Sequence, residues 1–287
     1  MKAVLSPNPY RDRGLKAAQS AEKILRSSGV ETAMCLPFSV EGSNVELPKH
    51  IQFKQMQTEL KDADLLICFG GDGTILHAAK DANAFHVPIL GVNLGSVGFM
   101  AELELGELSV LSRLAAGKYS IEDRMMLDVT VRREGKIIYS DIALNDAAVT
   151  KGAVARVVDL EVYGDRVLIS SFSADGVVIS TPTGSTAYSM SAGGPIVEPT
   201  AENILVTSIC PHALSARSFV LGRERVVSVK LGKMARKTAY LSVDGGKAFR
   251  LIGGDIVEAR QSKSKIRLVR VSGRSFYEIL SQKLGGA

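Results

Sequence analysis

The sequence predicts two domains of different class. An α/β domain with a largely parallel sheet is expected over residues 1–122. A mainly antiparallel, all-β domain follows over 123–270, and residues 271–287 form a helical tail packing back on the fold. The first ~120 residues alternate short apolar runs with helix-period segments, which is the grammar of β-α units. After about Glu122 the pattern changes to short alternating strands joined by two-residue turns. The 287 residues, 46% hydrophobic and 23% charged, suffice for one large core or two modest ones.

Each element follows from local pattern. Lys2 to Ser6 reads as a strand closed by Pro7, Asn8 and Pro9, and Leu15 to Ser27 as a helix with Leu15, Ala18, Ala21, Ile24 and Leu25 on one face, ended by Gly29. Thr32 to Leu36 is the next strand, and the polar, irregular Ser39 to His50 is expected to be a mobile loop. Asp64 to Phe69 is apolar after its first residue, as a strand covered on both faces would be, and it runs directly into glycines. Thr74 to Ala82 then reads as a helix, Val87 to Val92 as a buried strand, and Glu104 to Ala116 as a helix ended by Gly117. In the second half the turn signals are Glu134-Gly135, Gly164-Asp165 and Gly245-Gly246. Val227, Val229 and Leu231 alternate with polar residues, and Phe276 to Leu284 is helical in composition.

Composition narrows the function classes. A net charge of +5 with the basic residues spread along the chain favours anionic ligands weakly. No Trp occurs and the aromatics are not interleaved with basic clusters, so no nucleic-acid partner is expected. The three separated cysteines, Cys35, Cys68 and Cys210, imply a reduced, cytoplasmic compartment. The N-terminus has no apolar leader and no run approaches a bilayer span, so neither export nor a membrane partner is expected. His50, His77, His86 and His212 lack metal-site spacing, and no metal ligands are assigned. The G-x-S-x-G elbow, the P-loop lysine and the G-x-G-x-x-G fingerprint are all missing.

Chemistry concentrates in four places. Gly70-Gly71-Asp72-Gly73-Thr74 puts three glycines and a carboxylate between a buried strand and a helix, where open α/β sheets bind ligands. Glycines there let backbone N–H groups approach phosphate oxygens, and the helix dipole assists. Asp72 would repel an anion, so it calls for a proton to accept or a cation to hold. A tight turn with Asp72 as helix cap would use the same residues. Asn93 to Phe99 (NLGSVGF) follows the next strand, so its loop should lie beside the first, although a strand-end turn explains it equally well. Asn145-Asp146 ends an apolar run and offers an amide and a carboxylate to a base or ribose edge, or begins an ordinary turn. The block from Ser180 to Pro195, preceded by Asp175, is dense in neutral hydroxyls and glycines, as recognition of ribose, amide and phosphate groups needs. A Ser/Thr-rich surface loop is the alternative.

Taken in order, the GGDGT run, the NLGSVGF loop, the Asn-Asp pair and the TPTGSTAYSMSAGGP block resemble the NAD kinase family in its bacterial, ATP- or polyphosphate-dependent form. The resemblance spans nearly the whole chain. GGDGT is shared with diacylglycerol-type and sphingosine-type lipid kinases, whereas the Thr-Pro-Thr-Gly block is far more specific. The resemblance implies the NAD kinase and diacylglycerol kinase-like fold. It also implies transfer of the ATP γ-phosphoryl group to the 2′-hydroxyl of the adenosine ribose of NAD, with Mg²⁺ or another divalent cation accompanying ATP. By that similarity Asp72 is the general base with Gly73 beside it, and Gly70, Gly71, Gly73 and Thr74 receive the ATP phosphates. Asn145 and Asp146 match the pair holding the NAD adenosine, Phe99 an aromatic near the adenine, and Asp175 the carboxylate at the nicotinamide end. Thr183, Thr186, Ala187, Tyr188, Ser189, Met190 and Ser191 match the segment lining the NAD site, and Arg156 a residue that reaches NAD from a neighbouring subunit. A homodimer or homotetramer is implied, with the active site in a cleft between domains. Asp146 stands where Glu is frequent, Ser173 where some members have Arg, and Gly245-Gly246 where a polar pair is common, departures that bear on the choice between NAD and NADH.

Overall fold

Four parallel strands, β1 (Lys2–Pro7), β2 (Glu31–Met34), β3 (Leu65–Gly70) and β4 (Ile89–Asn93), pair in the order β4-β3-β1-β2 in the computed structural model. The structure describes residues 1–40, 45, 47–95, 98–152, 156–213, 216–233 and 238–285. Part of the loop expected over Ser39 to His50 (41–44 and 46) and the centre of the NLGSVGF loop (Ser96 and Val97) lie outside the described residues. The chain divides into two units, one of Met1–Asp123 with Ile266–Ala287 and one of Arg124–Lys265.

In the first unit β3 and β4 are buried at every position, which accounts for their unbroken apolar runs. Because β2 and β3 flank β1 on opposite sides, the strand order reverses at β1, and the carboxyl ends of β1 and β3 lie at the switch point where open α/β sheets bind ligands. The glycine run lies there. Helix α1 (Lys16–Ser27) buries Ala18, Ala21 and Leu25. It starts one residue later than expected because Leu15 is left-handed, at φ 52°, and the buried Asp12 carboxylate accepts the N–H groups of Ala17 and Ala18 at 3.0 Å each. The helix expected over Glu104 to Ala116 is instead a 3-10 helix, Leu105–Leu111, followed by one α turn, Ser112–Ala115. Its buried residues Leu108, Leu111 and Leu114 recur every third position, a spacing that a 3-10 helix aligns on one face. The terminal helix Phe276–Leu284 forms as expected, with Ser275 and Glu278 as a capping box.

The second unit is antiparallel throughout its described pairings. One six-stranded sheet runs in the order Phe219–Gly222, Asn203–Ile209, Gly176–Ser180, Asp146–Lys151, Ala239–Val243, Phe249–Leu251. A second set joins Val167–Ala174, Val158–Gly164, Val227–Leu231 and the start of the long strand Ile256–Arg270. Alternate residues of both sets, among them Val149, Val177, Val162 and Val229, form a single apolar cluster. The mixed parallel and antiparallel architecture is therefore the one expected. Two turns are displaced by one residue: the left-handed pairs are Asp165-Arg166 and Asp244-Gly245, whereas Glu134-Gly135 lies as expected. A two-residue turn with positive φ at both positions accepts Asp first, because Asp tolerates that backbone.

Asp255 is fully buried and accepts a fork from Arg133, Nε and Nη2 at 2.8 Å each, with the Ile252 N–H at 2.9 Å. Arg133→Met strands that carboxylate and is expected to lower stability in urea denaturation by about 3 kcal/mol, the low end for a buried pair because the guanidinium is partly exposed. Lys230→Met, which breaks the half-exposed pair with Glu161, should leave the urea midpoint close to wild type.

Candidate active site

The glycine run begins on the last residue of β3 and ends in the first turn of the helix Asp72–Phe85. Its three glycines do different things. A Cβ on Gly70 would collide with the Thr74 side chain, whose hydroxyl accepts from Asn8 Nδ2 at 3.1 Å, so Gly70 is required by packing. Gly71 and Gly73 have negative φ, and no neighbour lies within 4 Å of where a Cβ would stand, so neither backbone strain nor protein packing demands glycine there. Open space beside backbone amides is what a phosphate group would occupy. The N–H groups of Asp72 and Gly73, in the first helical turn, have no acceptor within the helix.

Asp72 is half-buried and held by the second loop. Its Oδ2 accepts the Phe99 N–H at 2.8 Å and its Oδ1 the Met100 N–H at 3.1 Å. A Cβ on Gly98 would strike this carboxylate, which explains the second glycine of the NLGSVGF loop. The pairing of Gly70 with Asn93 brings the two loops side by side as expected. Asn93 is buried and donates to Gly95 O and to the Glu104 carboxylate, so its amide shapes the loop. The Phe99 ring is also buried, 6.3 Å from the Phe276 ring and with Lys283 Nζ 4.2 Å above its centroid.

In the second unit the Thr-Pro-Thr-Gly block folds back on Asn145. Thr181 N–H donates to Asn145 O at 2.9 Å and Thr181 Oγ1 to Leu144 O at 2.6 Å. Gly184 lies so close to the Asn145 backbone that a Cβ would overlap it. Several hydroxyls of the block serve the protein itself: Ser185 bonds Val197, Ser189 bonds Thr207 at 3.0 Å, and Thr183 accepts from the buried Arg124 at 3.2 Å. Ser189 and Thr183 are buried, whereas Tyr188 and Ser191 are exposed and Thr186, Ala187 and Met190 are intermediate. Arg156 is exposed. Asn145 Oδ1 is buried and has no hydrogen-bond partner among the described residues.

Charges gather around this turn. Burial, with the negative Asp244 second, pushes the Asp146 carboxyl from its ordinary 3.8 up to about 7. The Tyr188 hydroxyl is pushed up by burial and then by Asp146, Cys210 and Asp175, and Asp175 pairs with Lys151 Nζ at 2.6 Å. Among the described residues no three His, Cys, Asp or Glu side chains converge to hold a metal ion, and no helix is long and apolar enough to cross a membrane.

Sequence reasoning missed Arg124 and Asp244 as partners of these segments, and named Thr181 only as part of the hydroxyl-rich block. Arg124 carried a signal, a charged residue opening the apolar run Met125-Met126-Leu127. Asp244 carried only its place beside two glycines.

Family models match both units: an ATP-NAD kinase N-terminal domain over residues 17–119 and an ATP-NAD kinase C-terminal domain over 144–271. An NAD kinase of Acetivibrio thermocellus is 35% identical over 289 residues, covering 99% of this chain and 97% of the relative. One from Symbiobacterium thermophilum is 46% identical over 226 residues, or 78% and 80% of the two chains. Among solved structures, yeast NADH kinase complexed with NADH superposes with a TM-score of 0.83 at 26% identity, over 99% of this chain and 87% of that one. An Archaeoglobus fulgidus NAD kinase in complex with ATP shares the fold, with a TM-score of 0.73 at 24% identity over 98% and 99% of the chains.

The raised Asp146 pKa has a defined effect on stability. The folded state keeps this proton where the unfolded chain releases it, so the contribution is full below the ordinary 3.8 and is lost as pH climbs to about 7. Asp146→Asn removes that dependence. In denaturation curves its advantage over wild type should grow by roughly 2–3 kcal/mol between pH 5 and pH 7 and flatten above pH 8. Gly98→Ala should fold yet displace Asp72, lowering turnover at least tenfold in a steady-state assay.

Proposed function

The chain belongs to the NAD kinase family and has that family's activity, phosphorylation of NAD to NADP, and from this premise we propose that Asp72 is the general base of the transfer. The observation that carries the reading is a carboxylate fixed by two backbone N–H groups at the mouth of an otherwise open glycine loop. Binding of phosphate alone would be better without it. The 2′-hydroxyl oxygen of the adenosine ribose forms a bond to the γ-phosphorus of ATP as the bond from that phosphorus to the bridging oxygen breaks. ADP leaves, and the hydroxyl proton passes to Asp72. Phosphoryl transfer asks the protein for positioning and charge neutralisation, and a positioned base adds roughly 10²–10⁴ in rate.

The N–H groups of Asp72 and Gly73, with the room left by Gly71 and Gly73, receive the ATP phosphates, and Gly70 and Thr74 keep the loop in shape. Mg²⁺ or a similar cation riding on those phosphates needs few protein ligands. The ion would be held through the ATP phosphates seated at the N–H groups of Asp72 and Gly73, and would supply neutralisation of phosphate charge, leaving the Asp72 carboxylate free for the proton. Asn145 Oδ1 and Asp146 hold the adenosine of NAD, Asp175 the nicotinamide end, and Thr186, Tyr188 and Ser191 line the site. The buried Thr183 and Ser189 support that lining through Arg124 and Thr207. Arg156, exposed, is the residue that reaches NAD across a subunit boundary in a homodimer or homotetramer. Phe99 serves the adenine, and the contacts of its ring with Phe276 and Lys283 make the terminal helix its support.

Asp72→Asn should fold, bind NAD in titration calorimetry with affinity near wild type, and form NADP at under one hundredth of the wild-type rate in a coupled assay. Retention of more than a tenth of turnover would remove Asp72 from the role of base. The same assay, run with NAD or NADH and with ATP or polyphosphate, fixes both substrate preferences.

A further inference from the structure

Asp244 sits in a left-handed conformation, φ 50°, at the first position of the turn after Ala239–Val243, and its side chain points back into the second unit. Its Oδ2 accepts the Leu144 N–H at 2.8 Å, and its Oδ1 accepts the N–H groups of Asn145 at 2.8 Å and Asp146 at 3.0 Å. Its own N–H donates to Asp146 O at 2.9 Å, and Thr181 takes the carbonyls of Leu144 and Asn145. The backbone of these three residues is thus satisfied on every side. Of the Asn145 side chain, Oδ1 remains without a partner among the described residues although it is buried.

We propose that Asp244 is a positioning residue for the acceptor dinucleotide: by gathering three consecutive backbone N–H groups, it fixes the turn that aims Asn145 Oδ1 and the Asp146 carboxyl at the substrate. The proposal rests on the reading of Asn145 and Asp146 as the groups that hold NAD. A short loop between two strands has several conformations of similar energy, and a carboxylate accepting from successive amides selects one of them. Only a residue tolerant of positive φ with a short acidic arm can do this from the turn, and Asp meets both conditions. The arrangement also sets two acids close together. Besides Asp244, Tyr188 interacts with Asp146, and Tyr188 in turn faces Cys210 and Asp175, the latter paired with Lys151.

Asp244→Gly deletes the carboxylate and leaves the left-handed backbone unstrained. It should raise KM for NAD at least tenfold, with kcat within threefold and KM for ATP within twofold of wild type. Asp244→Asn, whose amide oxygen can still accept from Asn145 and Asp146, should raise it less. In both variants the inflection of KM for NAD against pH near 7 should move to lower pH, because the like charge beside Asp146 has gone. A carboxylate that merely supports the fold would lower the melting temperature while KM for NAD, KM for ATP and kcat change together, and this result overturns the proposal. So does a KM for NAD within twofold of wild type in a folded Asp244→Gly. If both variants fail to fold, Asp244 is a folding residue and the proposal falls. Asn145→Ala tells the positioning role apart from the role of the turn itself. A raised KM there with none in Asp244→Gly sinks the positioning role alone, whereas an unchanged KM in both sinks the assignment of this turn to NAD.

Discussion

Backbone N–H groups outside ladders and helices must find acceptors, and in this chain carboxylates supply them at the places that matter. Asp12 caps α1 through Ala17 and Ala18, Asp72 takes Phe99 and Met100, and Glu102 takes Val271 and Ser272. Asp244 takes three successive amides. A buried amide left without a partner costs about 1–3 kcal/mol, so each of these acids selects a loop conformation that no ladder would select. The same bonds orient the acids themselves. Asp72 is both the anchor of a loop and the group proposed as general base, and fixing the loop fixes its rotamer.

The glycines divide in a way that motif reading alone obscures. At Gly70, Gly98 and Gly184 a Cβ would meet the Thr74 side chain, the Asp72 carboxylate and the Asn145 backbone respectively. Gly71 and Gly73 border empty space with ordinary backbone angles. The first group makes the site possible by packing. The second leaves room for something that is not protein, and a phosphate oxygen beside a helix N-terminus is the ligand for which such room is suited.

The hydroxyl-rich block shows a related division. Its density in the sequence reads as a surface of donors and acceptors for a dinucleotide, yet Thr181, Ser185 and Ser189 direct their hydroxyls to Leu144, Val197 and Thr207. They serve the protein, as does Thr186 Oγ1, which donates to Thr183 O at 3.3 Å, and the groups left for the proposed ligand are fewer: Asn145 Oδ1, Tyr188 and Ser191. Buried hydroxyls satisfied by protein make a rigid wall, and rigidity is what a positioning mechanism requires.

The amino-acid sequence by itself determined the two fold classes, the glycine loop at a strand end, the acid within it and the family. These are legible because they rest on local periodicity, on turn chemistry and on contiguous motifs. It also placed the terminal helix, whose capping box and apolar spacing are local. It misjudged Leu105–Ala115, where a three-residue spacing of leucines made a tighter helix than composition implied. Only tertiary structure decided that Asp72 is held by Phe99 and Met100, that Arg124 lies under Thr183, and that Asp244 governs a turn about a hundred residues earlier. Such contacts depend on sheet order and strand register, and residues far apart in sequence leave no pattern in it that could reveal a shared hydrogen bond.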